Sequence, residues 1–447
     1  MAILEGNVSG ITVGQLLSQN LRIPHYQRPY SWEPATALQL LDDIQEAMKD
    51  GRRHDVPYVL GAIVLHSTGQ SLDVVDGQQR LLTLHMILLL LKPAEESTHR
   101  DHADNPIGRV RAALRRHIGA LKIDHRRELP RFIREQCQLV RVETDDVDEA
   151  FRVFDFQNYR GKPLAPHDLL KAHHLREMRD ETDSMKAAVV ETWESVKDDE
   201  LDRLFSTYLY RIARWSRGEG APKFTIHDIG MFKGISPKSN RSPSARYHVA
   251  AQFAIPMLNA WETPTSELED RDLGRSRFQL DAPLLVGRPF FEMVAFMLSE
   301  LRQLARDGFT GERTKFALYN VDAQEDRDVL NERPSRGRYR FVSELYLAAL
   351  LYYTNKFGSE ELTTACDRLF AWAYSLRVEL LRVQFRSIDN RARGDLSNAS
   401  VFALMRQAES GRVVRQLSAS SRPYNDSHEK ELAALLNNSE RDVHKPT

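Results

Sequence analysis

The stretch Ser71-Leu72-Asp73-Val74-Val75-Asp76-Gly77-Gln78-Gln79-Arg80-Leu81-Leu82-Thr83-Leu84 decides how this chain is read. Val74 and Val75 favour an extended strand. Gly77 allows a sharp turn and a close approach of a ligand to the backbone. Leu81, Leu82 and residues 84–91, His85 apart, then predict a helix too apolar to be exposed on any face. A strand that runs into a helix in this way directs the positive end of the helix dipole at one spot, which suits a phosphate. Arg80 in the first turn can add a bidentate clamp. Asp76 can hold a metal ion or orient a water. The same five residues, 76–80, also fit a plainer arrangement, an N-capping Asp followed by an exposed Arg.

The surrounding chain is an ordinary globular one. It has 447 residues, enough for two or three domains with cores of their own. Charged residues make up 28% and hydrophobic ones 42%, and the formal net charge is −1. A near-neutral balance excludes a polyanion-binding protein by composition, so local charge must carry any contact with nucleic acid. Cys137 and Cys366 are the only cysteines, too few for a disulfide framework or a zinc site of their own. The N-terminus lacks a secretory pattern, and the Leu-rich run is about half a membrane span. A cytoplasmic protein is expected.

Local patterns predict a short helix over 12–19 capped by Thr12, and a helix from Pro34 that carries Asp42, Asp43 and Ile44. Residues 58–66 read as a strand in a hairpin with 71–76. Residues 109–135 read as helical and basic, and 139–142 as a further strand. Helical spacing then dominates 184–215, 247–260, 283–306, 341–357 and 359–386, the last starting at Ser359. Residues 216–246 and 321–340 read as loops, and the end from about 420 as a disordered tail.

Two more constellations accompany the junction. The first is Ile23-Pro24-His25-Tyr26-Gln27-Arg28-Pro29-Tyr30-Ser31-Trp32. Tyr26, Tyr30 and Trp32 share one face of an extended segment and can hold a base or sugar, with Gln27 beside them and Arg28 reaching a phosphate. They can equally be core residues. The second is Phe-Arg-Val-Phe-Asp-Phe-Gln-Asn-Tyr-Arg-Gly-Lys-Pro-Leu-Ala-Pro-His-Asp-Leu-Leu-Lys over 151–171. Gly161 is placed to end a helix, and Asp168 and Lys171 stand one turn apart, where they can pair. Asn158, Arg160 and Lys171 are the polar and cationic candidates for a nucleotide pocket.

Taken together, the three elements resemble the N-terminal domain of the GmrSD-type restriction endonucleases. That family shows Tyr-Gln-Arg-x-Tyr-x-Trp, then Asp-Gly-Gln-Gln-Arg-Leu, then Asn-x-Arg-Gly-x-x-Leu-x-x-x-Asp-Leu-Leu-Lys, in this order. The resemblance covers roughly residues 10–175. Leu82 departs from it, standing where the family more often has Thr. The resemblance implies a small mixed domain related to ParB and sulfiredoxin, over 1–178 with a helical insertion; with the helical spacing that follows, the chain is expected to be α+β, with a mostly α-helical domain over 179–420 and a disordered tail over 421–447.

It also implies an NTP-binding, NTP-hydrolysing subunit of a modification-dependent, type IV-like restriction system in anti-phage defence. Such a subunit would sense foreign or modified DNA and control a separate HNH-type partner nuclease. By the same resemblance Asp76, Gln78, Gln79 and Arg80 carry the catalysis, with Gln78 or Gln79 orienting the attacking water and Arg80 stabilising charge on the phosphoryl group. Tyr26, Gln27, Arg28, Tyr30, Trp32, Gly77, Asn158, Arg160, Gly161 and Lys171 contact the nucleotide, GTP or ATP, and Asp76 holds Mg²⁺. A non-hydrolysing, nucleotide-regulated DNA- or protein-binding module, or a ParB-related nuclease, are the alternatives. A homo-oligomer is left open.

Within this chain His227, Asn240 and His248 follow the order of an HNH site, yet no strand-strand-helix frame is predicted around them, and they read as scattered surface residues. DNA contact has two candidate segments. Residues 211–246 hold eight Lys/Arg against two acids, with Trp215, Phe224, Phe232 and Tyr247 among or beside them. Residues 377–393 hold five Arg against two acids.

Overall fold

The structure is a computed structural model that describes residues 8–24, 30–49, 57–67, 69, 71–92, 105–145, 165–178, 180–236, 242–262, 270–394, 400–417 and 429–443. It has two compact units, residues 1–164 and 165–447. The division falls ahead of the helix that carries Asp168 and Lys171, whereas the sequence placed it at 178.

The first unit is built on a mixed five-stranded sheet, in the order β1 (Val8–Thr12), β5 (Cys137–Thr144), β3 (Tyr58–Ser67), β4 (Leu72–Asp76), β2 (Leu21–Arg22). The expected hairpin is present: β3 and β4 pair antiparallel, with Leu65 opposite Val74. β5 lies parallel to β3 on its other side, and the register shifts between Val59 and Ala62. That bulge leaves Gly61 at φ +122°, a conformation that L side chains rarely adopt. The short β2 runs parallel to β4 and is locked there by Arg22, whose Nε and Nη2 donate to the buried carboxylate of Asp73 at 2.6 and 2.7 Å.

Helix α1 (Val13–Leu17) starts as expected, with Thr12 and Gln15 forming a reciprocal capping box. α2 (Pro34–Lys49) buries Ala37, Leu41 and Ile44, three positions at helical spacing. The basic stretch read as one helix is two, α4 (Pro106–Ala120) and α5 (Ile123–Glu135). They break at Leu121, whose N–H caps the carbonyl of Ile118, and Arg126 of α5 donates to the same carbonyl from Nη2 at 2.7 Å.

The helix α3 (Gln78–Leu90) supplies Leu81, Leu84, Ile87 and Leu88 to the same core as Ile63, Leu65 and Val74. It is not covered all round, however. His85 and Leu89 are exposed, and they border a 160 Å³ cavity with Gly14, Leu17, Lys92 and Arg134.

The second unit is helical. At its centre the helix Arg340–Phe357 is buried along nearly its whole length, and the helix Leu362–Glu379 is its main neighbour. The latter begins after Glu361 rather than at Ser359; Glu361 has φ +48° and pairs with Arg415. Buried carboxylates are matched with guanidinium groups. Glu344 accepts from Arg211 at 2.8 Å and Arg340 at 2.9 Å, and Glu300 from Arg275 at 2.8 Å. The stretch expected to be a disordered tail contains the helix Lys430–Val443. Leu432 and Leu436, one turn apart, bury themselves and fix it.

Candidate functional site

β4 ends at Asp76, and α3 begins two residues later at Gln78. Gly77 between them has φ +89° and is the N-cap residue of α3. A Cβ at this position would meet Ile63 Cγ1 at 3.2 Å and the carbonyl oxygen of Ala62 at 3.3 Å, so conformation and space both demand glycine. Asp76 therefore stands before the cap rather than at it, and Arg80 is half-buried rather than exposed. The plainer arrangement of an N-capping Asp with an exposed Arg does not describe this junction.

Arg80 turns back over the bulge of β3. Its Nη1 donates to the carbonyl of Ala62 at 3.0 Å. Its guanidinium lies flat against Gly61, close enough that a Cβ there would stand 2.8 Å from Nη1 and 3.0 Å from Cζ. Burial pulls the Arg80 pKa down, and the nearby charge of Asp76 acts in the opposite sense. Sequence reading missed Gly61 and Ala62 as partners of Arg80. The one available signal was a glycine inside a strand pattern, which marks a bulge or a close approach.

The side chains of Gln78 and Gln79 are buried. Gln79 Oε1 accepts the backbone N–H of Ser31 at 2.9 Å. One turn further on, Thr83 Oγ1 donates to the carbonyl of Gln79 at 2.8 Å and shares a 2.8 Å hydrogen bond with the hydroxyl of Tyr30. Burial raises the Tyr30 pKa. The tail of the first constellation is thus docked on the first turns of α3: Tyr30 is a core residue, and Trp32 packs half-buried against that core. Tyr26, Gln27 and Arg28 lie outside the described residues, as do Asn158, Arg160 and Gly161.

Lys171 belongs to the second unit, on the helix Pro166–Glu177. It is buried and ion-paired with Glu194, and not joined to Asp168 as the sequence suggested. On the same helix His174 is neutral. Its Nε2 donates to the carbonyl of Phe232 at 2.9 Å, its Nδ1 accepts the N–H of Gly287 at 3.2 Å, and it stacks on Phe290 at 3.6 Å. Burial drives its pKa down to about 3.

The two basic segments are partly committed to internal pairs. In 211–246, Arg211 is held by Glu344 and Arg214 pairs with Glu219. Arg217, Lys223, Lys233 and Arg246 are exposed. Trp215, Phe224 and Phe232 are buried, so they are core and not a stacking platform; Tyr247 is exposed. In 377–393, Arg377 pairs with Glu429 and Arg391 with Glu379, and Arg382, Arg386 and Arg393 are exposed. Among the described residues no group of three or more His, Cys, Asp or Glu side chains is placed to hold a metal ion. Among the described residues no helix is long and apolar enough to cross a membrane.

Residues 13–175 match the GmrSD restriction endonuclease, N-terminal domain, a span that contains the junction and all three constellations. Residues 185–433 match a family of unknown function, DUF7834. No curated protein matches the sequence. The chain belongs to the DUF7834 family over more than half its length, and its N-terminal part is a GmrSD-type restriction endonuclease N-terminal domain.

Proposed function

We propose that this chain is the NTP-binding and NTP-hydrolysing subunit of a modification-dependent restriction system, acting on foreign DNA through a partner nuclease. The observation that carries the reading is the junction itself: a left-handed Gly77 at the start of α3, with Asp76 on one side and a half-buried Arg80 on the other. The helix dipole and the Arg80 guanidinium both favour a phosphate at that point. Asp76 would hold Mg²⁺ together with phosphate oxygens. Arg80 would stabilise charge on the transferred phosphoryl group. Gln78 or Gln79 would orient the attacking water, and Gln79 also holds the Ser31 N–H. A GmrSD-type domain supports the restriction role, and the exposed cations of 211–246 support contact with DNA. The ParB and sulfiredoxin relation implied by the sequence motifs goes with this reading.

Phosphate release with each of the four NTPs and Mg²⁺, with and without DNA, tests it. Release that is lost in Asp76→Ala and Arg80→Ala is expected, and release unchanged in both variants would overturn the site. Nucleotide binding without release would favour the non-hydrolysing module. The structure lends that second reading one argument, the commitment of Gln79 to Ser31. DNA cleavage by the purified chain, lost in Asp76→Ala, would instead favour a nuclease.

A further inference from the structure

Half of the large apolar side chains exposed among the described residues lie on one helix, Pro243–Glu262. They are Tyr247, Phe253, Ile255, Met257, Leu258 and Trp261, with Trp261 89% and Met257 74% exposed. Residues 247–261 contain no Asp, Glu, Lys or Arg, although a solvated helix face normally carries charge. The spacing is that of a helix-pairing seam. Tyr247, Ala254 and Trp261 repeat every seven residues, and Ala250 and Met257 repeat likewise between them. Sizes along this seam are complementary about its middle. Counting outward from Ala254, the small Ala250 and Ala251 stand at the same offsets as the large Leu258 and Met257, and Tyr247 at the same offset as Trp261.

We propose that this helix is a self-association surface on which two copies of the chain pair antiparallel about a two-fold axis through Ala254. In that arrangement Met257 and Leu258 meet Ala251 and Ala250 of the partner copy and the reverse, the reciprocity of an isologous contact, and the two helix dipoles oppose each other. Tyr247 lies opposite Trp261 of the other copy, about 21 Å from its own Trp261 along the axis. The four large side chains on the seam, at on the order of 100–200 Å² each, with Phe253 and Ile255 at its rim, approach the about 800 Å² per partner of a stable interface. The pairing is independent of what the nucleotide site does.

The test is the mass of the full chain in solution by light scattering at micromolar concentration, together with two cysteine variants. A mass of twice 51.4 kDa is expected, falling to the monomer value in Met257→Lys and in Trp261→Glu. Both positions are exposed, so circular dichroism should be unchanged. Ala254→Cys should form a covalent dimer under mild oxidation. Tyr247→Cys, which meets its own copy only in a parallel pair, should not. Cys137 and Cys366 are buried, and burial pushes the Cys137 thiol up to about 12, so the native cysteines stay silent. A monomeric wild-type chain, a dimer that survives Met257→Lys, or self-crosslinking at 247 in place of 254 would overturn the proposal. A monomer that floats with phosphatidylglycerol vesicles would also overturn it and assign the seam to a lipid surface.

Discussion

Gly61→Ala, set against Arg80→Ala, probes the contact on which the candidate site rests. At φ +122° a non-glycine residue costs about 1–3 kcal/mol in backbone strain. The added methyl would also stand 2.8 Å from Arg80 Nη1 and 3.1 Å from Nη2, and the guanidinium must move. Its hydrogen bond to Ala62 is then lost, which costs about 1–2 kcal/mol for a half-buried charged donor on a neutral acceptor. The substitution should therefore destabilise β3 and its neighbours by about 2–5 kcal/mol. In an Arg80→Ala background the second contribution has already gone, and Gly61→Ala should cost only the strain. Hydrogen exchange of β3 and β4 amides in the full chain, read by mass spectrometry, measures both. Exchange should be faster by roughly 30- to 4,000-fold in the first background. In the second it should accelerate about tenfold less. Equal acceleration in the two backgrounds would refute the placement of Arg80 over the bulge. NTP turnover, where present, should fall in Gly61→Ala almost as far as in Arg80→Ala.

Thr83→Val removes the partner of the buried Tyr30 hydroxyl and should cost about 1–3 kcal/mol by urea unfolding; Tyr30→Phe in the same background should recover most of that. His174 makes the second unit acid-sensitive. Its folded pKa of about 3 lies below the usual 6.5, so its contribution is complete above pH 6.5 and is lost as pH falls toward 3, with about 2 kcal/mol gone at pH 5. Thermal melts of His174→Leu should be less stable at pH 7.5 and flatter between pH 6.5 and 4. Glu344→Leu leaves Arg211 and Arg340 without their shared carboxylate and should cost about 3–5 kcal/mol of unfolding free energy. Lys223→Ala with Lys233→Ala should weaken DNA binding equally for all sequences and lower its log-log salt slope by about 2.

The β4–Gly77–α3 junction, the hairpin that precedes it and most helices were legible in the sequence, because each is dictated by residues adjacent along the chain. Val74, Val75 and Gly77 specify their own conformations. The contacts that give the site its geometry were not legible. Gly61 and Arg80 meet only because β3 bulges between Val59 and Ala62, and Ser31 reaches Gln79 across 48 residues. The same limit applies to charge. Arg211 and Arg377 read as surface cations, yet their carboxylates, Glu344 and Glu429, are 133 and 52 residues further along. The expected tail concealed one of those partners, since Glu429 stands just ahead of the helix that Leu432 and Leu436 hold in place. Leu89 erred the other way: its neighbours predict burial, but it stands about half exposed at the rim of the cavity beside Gly14 and Leu17.

The commitment of Arg80 to Ala62 bears on what the residue can still do. A guanidinium carries five N–H donors in a rigid plane, and the carbonyl of Ala62 takes one of them. The head can thus stay anchored to β3 while other donors of the same plane meet a phosphate, so little side-chain freedom is lost on binding. A lysine places its three donors on one nitrogen at the end of a flexible stem, so it lacks the rigid fork that anchors on one side and clamps on the other. Arg80→Lys, which keeps the charge, should therefore lose nucleotide binding almost as completely as Arg80→Ala. Isothermal titration with each NTP measures this. Near-normal affinity in Arg80→Lys would mean that Arg80 acts as charge alone and that its fixed plane over Gly61 serves only the fold.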